Sequence, residues 1–450
     1  MKRKLSSEKT RLFLYFFFIA LLGSILLSLP QAYKNGIPVN YIDALFTSVS
    51  AICVTGLSTL SMDVFSRTGL IFILILIEAG GLGILTYISF LMTVSSKKIS
   101  VVNGNLIKDL YIDDIDFNPK SILKKVVLFT LLIQVIGSIL LIPGLYKAGD
   151  QHFIFNSIFL SISAFCNAGF SPSPDSLSGF SGNWYVLSII MGLIILGGIG
   201  FVVFTNIAQK IQFAKKGQIF YLSLHVKIVL ISTVVLIVSG FVFTFISFYK
   251  TSLWKIPLSK RILTALFESV TLRTAGFETI PQTSFTSSAS LFHLILMFIG
   301  GSPGSIAGGV KTTTAFITLL YLLDGNEQHT TVSFANRRIP STIINKSITI
   351  VSRSVLILLI SAILLSLVEN QLISNGTISL IDIIYESVSA LATVGLSRGL
   401  TPQLSYLGKL IIIITMYIGR TGIYAMSIKS GFTGSDNEDL IYPEESLLVG

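Results

Sequence analysis

The chain has 450 residues, of which 52% are hydrophobic and only 12% are charged. Ordinary soluble domains carry about 45–50% hydrophobic and about 25% charged residues, so too few charges are present to coat a soluble globule of this length. Two cysteines cannot form a disulfide framework, and four scattered histidines lack the ligand spacing of a transition-metal site. The composition predicts a polytopic membrane protein and argues against a cytosolic enzyme.

Basic residues outnumber acidic ones by 32 to 22, which gives a net charge of +10. In a membrane protein this excess is typical of cytoplasmic loops, because lysine and arginine hold loops on that side of the bilayer. Nucleic-acid binding is disfavoured, since no basic run alternates with exposed aromatic residues. The excess of positive charge therefore indicates how the chain is oriented.

Apolar runs that are long enough to cross a bilayer, which takes about 17–25 residues, recur along the chain. The predicted spans are 12–29, 69–94, 126–146, 184–208, 226–249, 347–368 and 405–428. An eighth, 289–323, is interrupted at its centre by GGSPGSIAGGVKT, residues 300–312. The first run is too long for a signal-peptide core and lacks a cleavage site, so we expect it to be retained.

Eight spans would place both termini on the same side of the membrane. By this arrangement 20 basic residues lie on the terminal side and 9 on the opposite side, while Arg273, Lys311 and Arg420 fall at membrane depth. Both termini are therefore predicted to be cytoplasmic.

Between the two spans of each pair lies a shorter, partly apolar segment, and the four segments resemble one another. They read DALFTSVSAICVTGL (43–57), NSIFLSISAFCNAGF (156–170), LTALFESVTLRTAGF (263–277) and DIIYESVSALATVGL (382–396). Each carries a glycine followed by leucine or phenylalanine: Gly56, Gly169, Gly276 and Gly395. Thirteen residues before three of these glycines stand the expected helix N-caps Asp43, Asn156 and Asp382, and eight before each stands Ser48, Ser161, Glu268 or Ser387. One shared register indicates an internal fourfold repeat.

The second long helix of each unit repeats a glycine motif as well. The motifs are AGGLG (79–83), LGGIG (196–200), IGGSPG (299–304) and IGRTG (418–422). Each unit thus consists of a span, a short pore helix, an extended glycine segment and a second span. Four units predict an all-α polytopic membrane protein with eight spans in a pseudo-fourfold arrangement around a central pore, divided at 1–114, 115–215, 216–340 and 341–450.

Short apolar helices of about 10–12 residues cannot cross a bilayer, and non-helical backbone at that depth is tolerated only beside an aqueous cavity or inside protein. The glycine segments meet this condition, since glycine lets carbonyls turn inward and replace the hydration shell of a cation. No carboxylate repeats among them, which favours a monovalent cation over Ca²⁺. The candidate binding residues are Cys53, Val54, Thr55, Gly56, Cys166, Asn167, Ala168, Gly169, Arg273, Thr274, Ala275, Gly276, Ala392, Thr393, Val394 and Gly395.

The motifs VTGL, NAGF, RTAGF and TVGL, with GGSPGSIAGGVKT and IGRTG, resemble the KtrB type of membrane subunit in the Ktr/Trk/HKT superfamily of potassium transporters. The resemblance covers essentially the whole chain. It implies potassium uptake across the plasma membrane of a bacterium, with K⁺ at the filter as the only metal. It also implies a homodimer and a cytoplasmic KtrA-like ring of RCK subunits, which would bind the nucleotide, so that this chain holds no cofactor. Symport with Na⁺ is left open.

The resemblance further implies that residues 300–312 form a flexible gate under the filter, with a passive kink as the alternative. The gate residues are Gly300, Gly301, Ser302, Pro303, Gly304, Ser305, Gly308, Gly309 and Lys311, joined by Arg420. Arg420 would project into the pore as a barrier to cations, or pair with Glu78 instead. Lys311 is expected to reach carbonyls, an acid or the cytoplasm. Arg273, flanked by Glu268 and Glu386, is expected to hold the filter geometry.

Three residues depart from the family pattern: Glu78 replaces an uncharged polar residue, and Cys53 and Cys166 stand where threonine and asparagine are commoner. We expect the cysteines to contribute only their carbonyls. A channel or carrier for Na⁺ or ammonium remains an alternative. An intramembrane enzyme is disfavoured because no nucleophile–base set or acid pair lies at membrane depth, and GGVKTTT (308–314) lacks the spacing of a phosphate-binding loop.

Overall fold

The computed structural model describes residues 2–34, 39–94, 119–249, 251–324 and 332–421. Within these ranges the chain is predominantly α-helical, as the apolar runs predict. The link at 95–118, the end of the last predicted span at 422–428 and the C-terminal tail lie outside the described residues.

Fifteen α-helices follow one another along the described chain. They are α1 (Lys2–Leu27), α2 (Tyr41–Ile52), α3 (Arg67–Val94), α4 (Pro119–Lys147), α5 (Phe153–Phe165), α6 (Trp184–Ile199), α7 (Phe201–Lys215), α8 (Leu224–Ser247), α9 (Leu258–Thr271), α10 (Ser287–Phe298), α11 (Thr312–Asp324), α12 (Ser341–Val368), α13 (Asn370–Ser374), α14 (Leu380–Leu391) and α15 (Tyr406–Thr421).

Membrane spans are recognised by length and apolar composition. Among the described residues three helices qualify: α8, α12 and, in α4, the part Lys124–Lys147. The bent pair α6 and α7 makes a fourth if it counts as one span. Large apolar side chains on the three straight helices face outward, such as Leu128, Val234 and Ile363, which are 57–63% exposed. This outer surface suits lipid rather than water. The predicted total of eight spans stays a prediction.

The short helices α2, α5, α9 and α14 occupy the four predicted pore-helix positions and contain 12 to 14 residues. Each packs against a long helix of its own unit and against the second long helix of the preceding unit. The contacts between units join α3 to α5, α6 to α9, α10 to α14, and α15 back to α2. The four units are therefore arranged in a closed cycle that follows chain order.

The predicted N-caps of the pore helices are wrong. Helix α2 begins after Asn40, and helix α14 begins after Ser379, so the acids Asp43 and Asp382 lie in the first turn. The Ser379 backbone N–H donates to the Asp382 carboxylate over 2.8 Å, which is the reciprocal bond of a capping box. Asn156 likewise lies inside α5 and donates to Asp150 over 2.7 Å. Of the three predicted caps only Asp382 accepts from a backbone N–H within the described residues, whereas Asp43 accepts from the Thr59 hydroxyl and the Lys409 ammonium.

The predicted span 184–208 is not continuous. It breaks at Gly200, where the axes of α6 and α7 differ by 94°. Gly200 has a φ of +90°, which lies outside the helical region and is readily adopted only by glycine. A Cβ at this position would lie 2.6 Å from the Ser302 hydroxyl, so the break is also a site of close packing.

The predicted interruption of the span 289–323 is confirmed, because α10 ends at Phe298 and α11 begins at Thr312. We call the intervening residues the loop 299–311. Beyond α11 the expectation of an all-α chain needs a small correction. The strands β1 (Val332–Phe334) and β2 (Arg337–Ile339) form an antiparallel hairpin around Ala335 and Asn336, both with positive φ, as a two-residue hairpin turn requires.

Candidate functional site

Each of the four short helices is followed by the same left-handed turn. One residue with positive φ comes after the helix, and a glycine with positive φ stands two positions later. Positive φ is uncommon outside glycine, so its recurrence at four matching positions marks a shared backbone geometry. The φ values are 57° at Val54 and 97° at Gly56, 55° at Asn167 and 70° at Gly169, 66° at Thr274 and 77° at Gly276, and 51° at Thr393 and 98° at Gly395.

The four glycines close into a ring, which we call the glycine ring. A Cβ placed on any of them would collide with a carbonyl oxygen of the next segment, at distances between 2.2 and 2.9 Å. Only glycine permits this approach of backbone to backbone. The oxygens belong to Ala168 for Gly56, Ala275 for Gly169, Val394 for Gly276, and Thr55 for Gly395, so the last contact returns to the first segment.

Buried hydroxyl groups of the pore helices fix the backbone of the glycine ring. The N–H of Gly56 donates to Ser50 over 3.1 Å, and the N–H of Gly395 donates to Ser389 over 3.0 Å. In the other two units the hydroxyl donates instead, to the carbonyl that follows the glycine: Ser163 to Phe170 over 2.7 Å and Thr271 to Phe277 over 2.8 Å. Each turn is thus held by its own helix without any charged group.

The third segment is one residue shorter than the register counted back from the four glycines implies. Ser48 donates to the Ala20 carbonyl and Ser161 to the Gln134 carbonyl, each on the preceding long helix. In the third unit Ser269 makes this bond, to Ile237 over 2.7 Å, so Glu268 does not occupy the predicted position. The missing residue falls between Thr271 and Thr274, at the end of helix α9, where counting back from the glycine cannot reveal it.

The acids expected to flank Arg273 have other partners. The Glu268 carboxylate accepts from Gln282 over 3.0 Å, and Glu386 accepts from Ser397 over 2.7 Å and from Thr401. Arg273 is only 7% exposed, and among the described residues its Nε has no hydrogen-bond partner. It borders a cavity of about 10 Å³ that Gly198 of α6 and Gly301 also line. Arg273 therefore lies between the third turn and the loop 299–311.

The base of the loop 299–311 is closed by backbone hydrogen bonds. The Gly300 N–H donates to Val310 over 2.9 Å, and the Val310 N–H donates to Phe298 over 3.0 Å. Inside this closure the loop touches the fourth turn, because a Cβ on Gly308 would lie 2.0 Å from the Thr393 hydroxyl. The loop is thus a closed structure that packs against the glycine ring.

The far side of the loop binds the break between α6 and α7. The Ser302 N–H donates to Gly198 over 3.0 Å, its hydroxyl donates to Ile199, and the Phe201 N–H donates to Gly304 over 3.3 Å. These bonds satisfy backbone groups that the bend at Gly200 leaves without helical partners. The loop of the third unit and the broken helix of the second unit therefore stabilise each other.

Two basic side chains donate to consecutive carbonyls of the loop 299–311. The Lys311 ammonium donates to Ala307 over 2.5 Å, which makes a carbonyl its anchor among the three that the sequence allowed. The Arg420 guanidinium donates to Ile306 over 2.6 Å and to Gly80 of α3. Arg420 thus connects the fourth unit, the loop and the first unit through backbone oxygens.

The alternative pairing of Arg420 with Glu78 is wrong. Glu78 accepts from Gln134 over 2.8 Å and from the Cys166 thiol over 3.5 Å.

Cys53 and Cys166 are fully buried. Nowhere in the described ranges do three metal-ligating side chains come together. The atoms that approach one another most closely at the glycine ring are those of the backbone.

A family model described as a cation transport protein, TrkH, matches residues 19–436. The chain belongs to the TrkH family. Two full-length relatives of this TrkH-family chain agree with the assignment. The present chain is 34% identical to the potassium/sodium uptake protein NtpJ of Enterococcus hirae, over 97% of this chain and 95% of that protein. It is 33% identical to the Ktr system potassium uptake protein B of Bacillus subtilis, with the same coverage.

The fold of the TrkH-family chain is also that of a solved structure. The crystal structure of the potassium transporter TrkH from Vibrio parahaemolyticus matches with a TM-score of 0.70 at 18% sequence identity. The match covers 94% of this chain and 84% of the other. At this identity the likeness concerns the fold alone.

One group of site residues in this TrkH-family chain was not predicted. Residues 197–201, at the break of the second unit, hold the loop 299–311, and none of them was among the predicted filter or gate residues. A signal was present, because the glycine pair in LGGIG is followed two positions later by a third glycine, Gly200. AGGLG has the same spacing inside the helix α3, so the motif alone does not decide between a helix and a break.

Proposed function

We propose that this chain takes up potassium across a cell membrane by passing the ion through the glycine ring. The observation that carries the proposal is the closed cycle of four left-handed turns, each in backbone contact with the next. Carbonyl oxygens arranged in this way can replace the hydration shell of a monovalent cation. The names of the relatives NtpJ and Ktr system protein B support potassium as the ion.

The carbonyls of all sixteen predicted filter residues, from Cys53–Gly56 to Ala392–Gly395, are proposed to face the ion path. Burial of the turns and the absence of a charged ligand in three of the four segments support this assignment. Eight spans in pseudo-fourfold arrangement, with the repeat boundaries given above, are the corresponding architecture. The excess of basic residues on one side supports cytoplasmic termini. No step requires covalent chemistry, so we propose a transporter rather than an enzyme.

The loop 299–311 is proposed to be the gate. Its contact with Thr393 supports a position next to the glycine ring, and its many small residues support mobility. Arg420 is proposed to add an electrostatic barrier at the same level, since its charge lies in a weakly screening environment. Its bonds to Ile306 and Gly80 support a second effect, which is to hold the loop in place.

A homodimer regulated by a cytoplasmic ring of KtrA-like RCK subunits is the proposed assembly. Its support is the family resemblance and the similarity to a protein named after the Ktr system. Any nucleotide would bind to the partner rather than to this chain.

Sodium is the second candidate ion, and the similarity to a protein named for potassium and sodium uptake favours it over ammonium. If the two ions are coupled in one transport cycle, potassium uptake will depend on Na⁺ in the medium.

The test is potassium uptake by cells that lack their own uptake systems. The chain is expressed with and without an RCK ring subunit, in media with and without Na⁺, and we expect uptake to require the chain and to respond to the ring. Gly276→Ser, which adds a side chain to the ring, should lose the preference for K⁺ over Na⁺. Unchanged uptake of both ions by Gly276→Ser would contradict the assignment of the filter.

A further inference from the structure

The helix α7 leaves the bundle sideways. It follows α6 after a bend of 94°, and its 15 residues extend over about 22 Å. Its first turns are packed, with Val202 and Val203 buried, whereas residues 210–219 are all exposed. If α6 crosses the bilayer, α7 must run along the surface of the bilayer on the side where α6 ends.

The exposed end of α7 and the residues after it carry large apolar side chains. Ile211 is 52% exposed, and Ile219 and Tyr221 are about 80% exposed. The chain folds back at Gly217, where the Gln218 N–H donates to Phe213 over 2.9 Å, and the rings of Phe213 and Phe220 stack 5.3 Å apart. This apolar cluster would be unfavourable on a surface that faces water, but it is favourable at a lipid interface.

The same stretch is basic. Lys210, Lys215 and Lys216 are exposed, and no acidic residue occurs in the sequence between Asp175 and Glu268. Within the part of the chain that the structure describes, none of the three lysines forms an ion pair. A surface that combines unneutralised lysines with exposed aromatic and aliphatic side chains is complementary to anionic phospholipid headgroups above an apolar layer.

We propose that residues 210–221, which we call the basic segment, bind the anionic phospholipid surface of the bilayer and thereby hold the loop 299–311 in its packed position. The proposal rests on the proposed function, because it takes the loop as the gate and the basic segment as cytoplasmic. It adds the ligand, a layer of anionic lipid, and the route by which that ligand acts.

The route is short and consists of hydrogen bonds to backbone carbonyls. At its other end α7 begins at Phe201, whose N–H donates to Gly304, while Ser302 donates to Gly198 and Ile199 across the break. A displacement of α7 from the membrane therefore pulls on the residues that bind the loop. With the basic segment on the lipid, the loop keeps these bonds; with the segment released, the loop loses part of its support and cation flux rises.

The first experiment measures where the basic segment lies. Ile219→Cys is labelled with nitrobenzoxadiazole in the full-length protein, since both native cysteines are buried, and reconstituted in phosphatidylcholine vesicles with or without phosphatidylglycerol. We expect a blue shift and quenching by doxyl lipids when phosphatidylglycerol is present. Ile139→Cys, on the outer face of α4, and Ala148→Cys, in an exposed connection, serve as lipid and water references.

The second experiment removes the charge. Each lysine near an anionic surface changes the binding constant about fivefold, so Lys210→Gln, Lys215→Gln and Lys216→Gln together should weaken the lipid-bound position about 100-fold. In phosphatidylglycerol vesicles this triple variant should lose the blue shift and carry several-fold more potassium than the unchanged protein. In phosphatidylcholine alone the two should transport alike. The matched control, Lys124→Gln with Lys125→Gln, should behave as the unchanged protein.

Three outcomes would overturn the proposal. In the first, the label at residue 219 is as accessible to water-soluble quenchers as the label at 148 in every lipid. In the second, the label at 219 becomes shielded only when an RCK ring is added, which makes a protein the partner. In the third, the flux of the triple variant relative to that of the unchanged protein is the same with and without phosphatidylglycerol. The measurement of position requires no transport, so it separates this proposal from the proposed function. Orientation is checked apart, since an impermeant maleimide should not label Ile219→Cys in intact cells.

Discussion

Replacement of Gly276 by alanine tests the glycine ring most directly. The new Cβ would lie 2.2 Å from the Val394 oxygen, whereas ordinary contact begins at 3.4 Å, so this carbonyl must move by about 1 Å. The φ of 77° adds roughly 1 kcal/mol of backbone strain to an alanine. A change of about 1.4 kcal/mol in the difference between the binding free energies of K⁺ and Na⁺ changes the preference tenfold. We therefore expect the preference for K⁺ over Na⁺ to fall about tenfold or more.

Two other glycines provide a graded comparison. At Gly169 the contact with the neighbouring oxygen is 2.9 Å, so Gly169→Ala should impair selectivity less. Gly149, between α4 and α5, has a φ of 81° with nothing within 4 Å of the new Cβ, so Gly149→Ala carries the backbone strain alone and should keep selectivity. Uptake of Rb⁺ and Na⁺ into vesicles containing each purified variant measures the order. Equal losses at 169 and 276, or none at 276, would refute the ring geometry.

Three further changes test the surroundings of the ring. Arg420→Ala should raise cation flux several-fold and Arg420→Lys should restore the barrier only partly, because an ammonium cannot keep both guanidinium contacts; unchanged flux with a lower thermal stability would make the residue purely structural. Deletion of 302–308 should raise flux and weaken control by the partner, and a folded deletion with unaltered transport would reduce the loop to a kink. Lys409→Ala breaks the 2.6 Å ion pair with the buried Asp43, so thermal unfolding should report a loss of about 3 kcal/mol that Lys409→Arg largely avoids.

Much of the fold could be predicted because the decisive signals are local. The four short helices, the turns at the shared glycines and the break of the span 289–323 all follow from apolar length and glycine position. These features depend on backbone freedom and on the cost of unsatisfied backbone groups in an apolar environment, which residue type alone indicates.

Other features depend on contacts between units and were therefore missed. The break at Gly200 is stabilised by Ser302, which is about a hundred residues away in sequence. The shortened turn of the third unit becomes visible only through the bond of Ser269 to the preceding helix. Glu78 is held by Gln134 rather than by Arg420, a choice that the order of residues along the chain does not contain.

A single polypeptide supplies all four turns of the glycine ring, so no two of its positions are encoded by the same stretch of gene. In a pore built from four identical subunits, one substitution arrives four times and alters every position at once. If the glycine ring coordinates the ion as proposed, a mutation here alters one quarter of the coordination and leaves three quarters as they were. The third turn is shortened, and Arg273 and Ala392 stand where the first two segments have Cys53 and Cys166, so the four quarters are no longer identical. Ion preference in such a chain can therefore evolve, or be engineered, in small increments.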